Sequence, residues 1–426
     1  MTERLYYDDA RLTAFTANVT QIEEVSRTGG QSMWRIALDR SAFYPDSGGQ
    51  PGDRGTLTAS SRSGAALVAP VEDVQEEEAG EVWHHTLKPL VPGTEVRGEI
   101  DWTRRLDHMQ QHSGQHLLSA ALVAVAQAPT VSFHLGETVS TIDLAVEHLS
   151  RHTLQQAEDY ANSVIAENRP MRTYRASREQ AEAWLAAGLM RKLPPRSGDL
   201  RIVEIAGEPH PLDRNACGGT HVSATGAIGG LHVRGLEKVR QGWRVEFVCG
   251  QRAVHTARQD FAFLCELSRT LSEPFDRLSE RLHSMQADAK QSAKLIDTLT
   301  GELATYRAGQ MIQTAPVENG RLLVRQRFAA HEQGAAKQLA AKISGHQKAA
   351  ALFACDGDEL QPAAIVLAAN PDLDLDCGSM LREAVTAAGG RGGGSRTMAQ
   401  GSVPMAVLEE TLQQLKQSLL QKTRNS

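Results

Sequence analysis

Two pairs of side chains in this chain have the types and spacing to hold a metal ion. The first is His112-Ser-Gly-Gln-His116, in a stretch that reads as helix. Residues i and i+4 share one helix face, with Cβ atoms about 5–6 Å apart, so two imidazoles there converge on one ion. His108 lies one turn earlier, and pairing it with His112 is equally sound on geometry. The second is Cys217-Gly-Gly-Thr-His221, a thiol and an imidazole four apart across two glycines. Glycine's backbone freedom lets such a segment fold around a cation. Together His112, His116, Cys217 and His221 make a borderline-soft set suited to one tetrahedral Zn²⁺ per chain. The five cysteines (Cys217, Cys249, Cys265, Cys355 and Cys377) are odd in number and scattered. That fits a reducing, cytoplasmic setting and favours a metal ligand over half a disulfide.

The elements that must position these residues give an α+β reading. Residues 103–127 form a strong helix, capped by Asp101 or Thr103 and ended by Pro129. Strand-like residues 130–146 follow, then helices over 149–169 and 178–189, and strands over 199–207 and 243–250. Ahead of the helix, residues 1–100 read as short alternating strands of a small β-barrel, with a glycine-rich segment, SGGQPGDRG, between two of them. EDVQEEEAGE (72–81) reads as a solvated acidic loop. From Leu264 to Leu303 mostly apolar residues recur at a three-four spacing, the seam of a coiled coil or helical hairpin, weakened by Pro274 and Ser292. The remainder predicts a C-terminal α/β segment. In it two strands flank the helix EQGAAKQLAAKISG, and a glycine-rich turn, GGRGGGSRTMAQG (389–401), comes before the last helix. The expected domains are 1–100, 101–252, 253–310 and 311–426.

The chain has 426 residues, 41% apolar and 23% charged, ordinary globular usage. The start, MTERLYYDDARL, lacks the layout of a signal peptide, and no run of about 18 apolar residues occurs, so no membrane span is expected. Net charge is −6 and uneven: residues 1–100 hold 9 basic and 16 acidic side chains, and residues 101–310 hold 24 of each. No domain binds nucleic acid by bulk charge, so any RNA contact comes from local patches.

These stretches resemble a known family. HSGQHLLSAAL (112–122) and ACGGTHV (216–222) are similar to the two zinc motifs of the alanyl-tRNA synthetase editing domain, which also occurs in freestanding editing proteins. FYPDSGGQPGDRG (43–55) resembles the glycine-rich motif of the preceding barrel, RIVEI (201–205) the strand before the cysteine turn, and residues 389–401 the glycine motif of the DHH-associated C-terminal domain. The resemblance favours His112 and His116 as ligands and leaves His108 a supporting or helix-surface residue. Only about 40 residues precede Phe43, too few for an aminoacylation domain, so the long freestanding form is expected. The resemblance implies hydrolysis of tRNA(Ala) mischarged with serine or glycine.

Water would attack the carbonyl of the ester joining the amino acid to the terminal ribose. Zinc would polarise that carbonyl, activate water or fix the substrate. Four protein ligands close a tetrahedral site, whereas hydrolysis favours an open one, and three firm ligands with one exchangeable position reconcile the two. Serine differs from alanine by a hydroxyl, so polar pocket groups are needed: Thr130, Ser132, His134, Thr141 and Thr220 are candidates, His134 first. Gly48, Gly49 and Gln50 would approach the ester or terminal adenosine closely, in a turn that Asp46 and Asp53 could cap. No catalytic base is assigned. Arg391 and Arg396, with Lys337, Lys342 and Lys348, are candidate RNA-backbone contacts. A homodimer through the arm or C-terminal domain is a reasonable expectation. The alternatives are a non-catalytic zinc-stabilised tRNA-binding module and a hydrolase of another aminoacyl ester.

Overall fold

Six strands of the first hundred residues close into an antiparallel barrel. The order around it is Ala14–Thr28, Gln31–Leu38, Val82–Thr86, Ala66–Glu76, Gly55–Ser60, Glu95–Ile100, and back to the first. Alternation puts Phe15, Val19, Ile36, Leu38, Leu57, Val71 and Val96 inside, with Phe43 at the centre of that core. This is a computed structural model that describes all residues except 29–30, 61–65, 78–79, 196–197, 358–360 and 422–426. The chain divides into two compact units, Met1–Glu266 and Leu267–Ser426.

In the first unit the barrel leads into α1 (Trp102–Ala126), whose N-cap is Asp101, accepting from the Arg104 amide. Gln127 ends the helix in the left-handed region at φ 51°. α1 and α2 (Arg151–Ala166) pack on an antiparallel sheet of order Leu231–Val239, Gly242–Cys249, Ser140–Leu144, Thr130–Leu135. Leu117, Leu118 and Leu122 of α1 meet Leu154, Ala161, Ile142, Val245 and Phe247 in one apolar cluster. A second antiparallel sheet, Met171–Ala176, Leu200–Ile205 and Asp213–Ala216, is backed by α3 (Arg178–Ala186), which opens with a capping box on Ser177.

A buried ion pair ties α1 to the barrel. Arg105 and Asp53 are both fully buried, and Arg105 also donates to the carbonyls of Ala10 (2.7 Å) and Ala42 (2.5 Å). Asp53 accepts in addition from the Tyr44 amide at 2.6 Å, three residues ahead of the Ser47–Gln50 turn. Asp46 is exposed and sits opposite Gln75 in a short bridge. The helix that carries the histidines is therefore held in register with that turn.

The helical arm consists of α4 (Gly250–Leu271) and α5 (Leu278–Thr314), with a break from Ser272 to Pro274 where the proline was expected to weaken the seam. Leu282, Met285, Ile296, Leu299 and Leu303 are exposed, while Leu278, Ala304 and Ala308 are the buried residues of α5. The second unit is built on a six-stranded sheet in which, among the described residues, only Arg321–Phe328 and Ala349–Cys355 pair in parallel. α6 (Gln333–Ser344) covers one face; α7 (Cys377–Ala387) and α8 (Leu408–Leu420) cover the other. Alternate residues of Ala349–Cys355 point into the two cores, so this central strand shows no polar face and its alanine-rich run gave no strand signal.

Two expectations are corrected. Half of the acidic segment 72–81 is strand rather than loop: Glu72–Glu76 belong to Ala66–Glu76, Glu77, Gly80 and Glu81 lie outside strands, and residues 78–79 lie outside the described residues. The glycine-rich 389–401 is a hairpin of Arg391–Gly394 and Met398–Val403 rather than a turn. Its glycines answer to crowding, since a Cβ on Gly392 would lie 2.8 Å from the Gly401 Cα and 3.0 Å from Val385 of α7.

Candidate metal centre

His112 and His116 project from one face of α1, and the strand Asp213–Ala216 delivers Cys217 and His221 to the same place. One donor atom from each of the four lies within 4.8 Å of every other. Sγ of Cys217 is 3.4 Å from Nε2 of His112 and 3.3 Å from Nε2 of His221. Arg201 shapes the cysteine turn by donating to the carbonyls of Cys217 (2.9 Å) and Gly219 (2.8 Å). Gly219 has to be glycine, because a Cβ there would fall on the His112 imidazole. His108 is not in the cluster. It is buried rather than on the helix surface, its Nδ1 has no protein partner, and burial pushes it down to about 4.

Each imidazole is held by its Nδ1, which leaves Nε2 for the centre. His112 Nδ1 donates to Oε1 of Gln50 at 2.8 Å, His116 Nδ1 to Oδ2 of Asp213 at 2.8 Å, and His221 Nδ1 meets Oγ of Ser113 at 3.2 Å. Such outer partners fix the tautomer and orientation of ligating histidines. Gln50 is itself clamped: its Oε1 also accepts from the Thr220 amide (3.1 Å) and its Nε2 donates to Oγ1 of Thr220 (2.8 Å). Gln50 and Thr220, both read as pocket groups, thus support the cluster from behind. Nothing in the sequence linked Asp213 to His116; the only signal was a carboxylate just before the cysteine motif.

The electrostatics suit a cation. Burial would raise the Cys217 thiol, but the imidazoles of His112 and His221 beside it, with hydrogen bonds from His112 and His116, hold it well below the usual thiol range. Burial drives His221 down to about 3, so its lone pair is free. Burial also opposes charge on His116, yet the Asp213 carboxylate and the Cys217 sulfur outweigh it and lift His116 to about 9. The anionic neighbours of His116 thus favour positive charge in the cluster. A ready thiolate and three oriented imidazoles fit Zn²⁺.

A cavity of about 420 Å³ opens onto His112, His116 and Cys217. Gly48, Thr130 and Ser132 line it, whereas His134, Thr141, Gly49 and His221 do not. Gly49, at φ 79°, sits under Phe133, and a Cβ there would lie 2.9 Å from that ring. Thr130 pairs with Ser119 at 2.7 Å, and Ser132 donates to Asp143 at 2.8 Å. Gln115, Phe133 and Arg191 also line the cavity and were not singled out from sequence. Gln115 had a signal, sitting three residues from His112 on the same helix face. Elsewhere, Lys337 and Lys342 lie exposed on α6, on one face of the C-terminal sheet. Arg391 and Arg396 lie on the edge hairpin beside α7, and Arg396 pairs with Asp374. Lys348 is exposed in the loop after α6.

The family description "tRNA synthetases class II (A)" matches residues 1–104, and "Threonyl and Alanyl tRNA synthetase second additional domain" matches residues 200–246. An alanine–tRNA ligase of Halorubrum lacusprofundi is 30% identical over 411 residues, 95% of this chain and 42% of that protein. The chain thus spans less than half the length of this ligase. The alanyl-tRNA editing protein AlaX-L of Pyrococcus horikoshii is 27% identical over 438 residues, 98% of this chain and 100% of that protein. Among solved structures, the C-Ala domain from Aquifex aeolicus alanyl-tRNA synthetase aligns with 25% of this chain and 95% of its own at 20% identity. Its TM-score is 0.22. Among the described residues no helix is long and apolar enough to cross a membrane.

Proposed function

Because this chain is homologous over nearly its whole length to alanyl-tRNA ligases and to AlaX-L, we propose that it is a zinc-dependent hydrolase of mischarged tRNA(Ala). Its substrates are the serine ester and, secondarily, the glycine ester. The observation that carries this reading is the gathering of His112, His116, Cys217 and His221 into one cluster, three of whose members, His112, His116 and Cys217, line one cavity.

These four residues would hold the ion, which supplies Lewis-acid polarisation and lowers the pKa of water. The rest falls to the chain. Gln50 and Asp213 keep the two helix histidines aimed, so the donor set needs little reorganisation. His221 stands outside the cavity lining, which supports approach of the ester from the side of His112, His116 and Cys217. Phe133, 5.8 Å from His112 between ring centres, gives that side one apolar wall. Thr130 and Ser132 form a polar one and are the favoured readers of a serine hydroxyl. A site built to bond a hydroxyl rejects the analogue lacking it by about 10⁴–10⁵, because its own polar groups are left unpaired. Among the described residues that line the cavity there is no carboxylate, so the reading assigns no carboxylate base.

Arg391, Arg396, Lys337 and Lys342 are assigned to the RNA backbone. Tethering the C-terminal unit to the same RNA raises the effective concentration of ester at the cavity. The exposed apolar residues of α5 favour a second copy as their partner. The test is a deacylation panel of Ser-, Gly- and Ala-tRNA(Ala), with metal analysis of the same sample. Serine is removed fastest and alanine is spared. His116→Ala loses the activity and stays folded. Full turnover by zinc-free Cys217→Ala protein would sink the metal mechanism.

A further inference from the structure

The cysteine turn has a second side. A further cavity of about 380 Å³ shares Gly48, Pro194, Cys217 and Gly218 with the metal cavity. Three tyrosines wall it. The ring of Tyr6 meets Tyr7 at 4.9 Å and Tyr44 at 5.3 Å, edge to face in both cases. The Tyr44 hydroxyl donates to the Ser47 carbonyl at 3.0 Å, which fixes this wall to the glycine turn.

Two guanidinium groups stand at Tyr7. That of Arg4, on the cavity wall, is 5.6 Å from the ring centre, and that of Arg201, behind it, is 5.3 Å. Arg201 is only 8% exposed. Its Nη1 holds the cysteine turn, but its Nε–H, like that of Arg4, is buried with no acceptor on the protein. Glu76, on the same wall, pairs with Arg4. Arg201 already serves the cysteine turn and Arg4 pairs with Glu76, which leaves the two Nε–H groups and the Tyr7 ring without a role in the barrel core or the metal cluster. Aromatic rings take a planar base by stacking, and guanidinium donors take phosphate oxygens or the acceptor atoms of a base.

We infer that the tyrosine cavity is the subsite for the base and 5′-phosphate of the RNA's terminal nucleotide, with Tyr7 and Arg4 as its principal contacts. The inference rests on the hydrolase reading and deepens it. An ester on the terminal ribose that reaches the metal cavity leaves its base one sugar away, and the two cavities meet at Gly48, Cys217 and Gly218. The bulk charge of residues 1–100 is acidic, so attraction of the nucleotide is left to Arg4, the arginine that lines this cavity.

The experiment uses the full-length zinc-loaded protein and adenosine 5′-monophosphate as probe, with binding followed by NMR saturation transfer and tyrosine fluorescence. The wild type binds the nucleotide at millimolar concentrations. Tyr7→Ala weakens it about tenfold or more, and Tyr7→Phe keeps most of the affinity. Glu76→Gln, which releases Arg4, tightens it, a change of sign that damage to the fold does not produce. With Ser-tRNA(Ala), Tyr7→Ala raises KM while zinc content is unchanged. Absence of binding to the wild type, or equal affinity in Tyr7→Ala and Glu76→Gln, overturns the subsite. A wild type that deacylates, with KM unmoved in Tyr7→Ala, removes the subsite and leaves the hydrolase. A wild type that cleaves no aminoacyl-tRNA but binds the nucleotide through Tyr7 removes the hydrolase and leaves the subsite.

Discussion

Asp213 grips His116 with one carboxylate oxygen, at 2.8 Å, and Arg191 with the other, at 2.6 Å. Asn215 donates to the Arg191-facing oxygen as well, so the buried carboxylate is fully engaged. Asp213→Ala takes the acceptor from Nδ1 and frees the imidazole to rotate. Zinc affinity should fall about 10–100-fold, read by competition with a chromophoric chelator. Affinity equal to wild type would show that Asp213 does not orient the ligand.

Gln50 serves two masters, His112 and the Thr220 amide. Gln50→Leu keeps the bulk but strands a buried Thr220 N–H, at a cost of about 1–3 kcal/mol in stability. It should also loosen His112 and lower deacylation more than it lowers the melting temperature. Thermal unfolding and turnover on one preparation separate the two effects.

The two glycines of the cysteine turn should respond differently. At Gly219 a methyl would strike the His112 ring, whereas at Gly218 its nearest neighbour is the Tyr7 hydroxyl at 3.6 Å. Gly219→Ala therefore loses zinc while the far-ultraviolet spectrum is kept, and Gly218→Ala retains zinc. Equal metal content in both variants would contradict the packing described.

The barrel carries its own acid sensitivity. Burial holds His84 down at about 4 from its ordinary 6.5, with Nδ1 donating to the Ile36 carbonyl at 3.0 Å and Nε2 accepting from Ser41 at 2.8 Å. The folded form keeps this imidazole neutral, while the unfolded chain protonates it below about 6.5. Its contribution is thus present above pH 6.5 and is lost as pH falls towards 4, about 3 kcal/mol in all. His108, also held at about 4, adds to the same slope. Denaturant unfolding at pH 7, 6 and 5 should show stability falling, with a shallower fall in His84→Gln.

The metal pairs were legible because each is local. Four residues along α1 or across a turn set the geometry with no help from the fold, and the resemblance chose His116 over His108. What supports them was not legible. Gln50 stood out only for its neighbouring glycines, because its bond to His112 spans 62 residues and two layers. Asp213 reaches His116 across 97 residues through a strand whose polar face looks like any edge. His134 lies one residue beyond Thr130–Phe133, the stretch of its strand that lines the cavity, and nothing in the strand pattern marks where that lining ends. The strand Ala349–Cys355 escaped notice because burial on both faces erased the period-two pattern. The hairpin at 391–403 was mistaken for a turn because its glycines serve close packing.

The thiol of Cys217 and the imidazole of His112 meet across 105 residues of chain. Donors split in this way come together only in the folded first unit, so a cation bound there would clasp two segments that the sequence holds far apart.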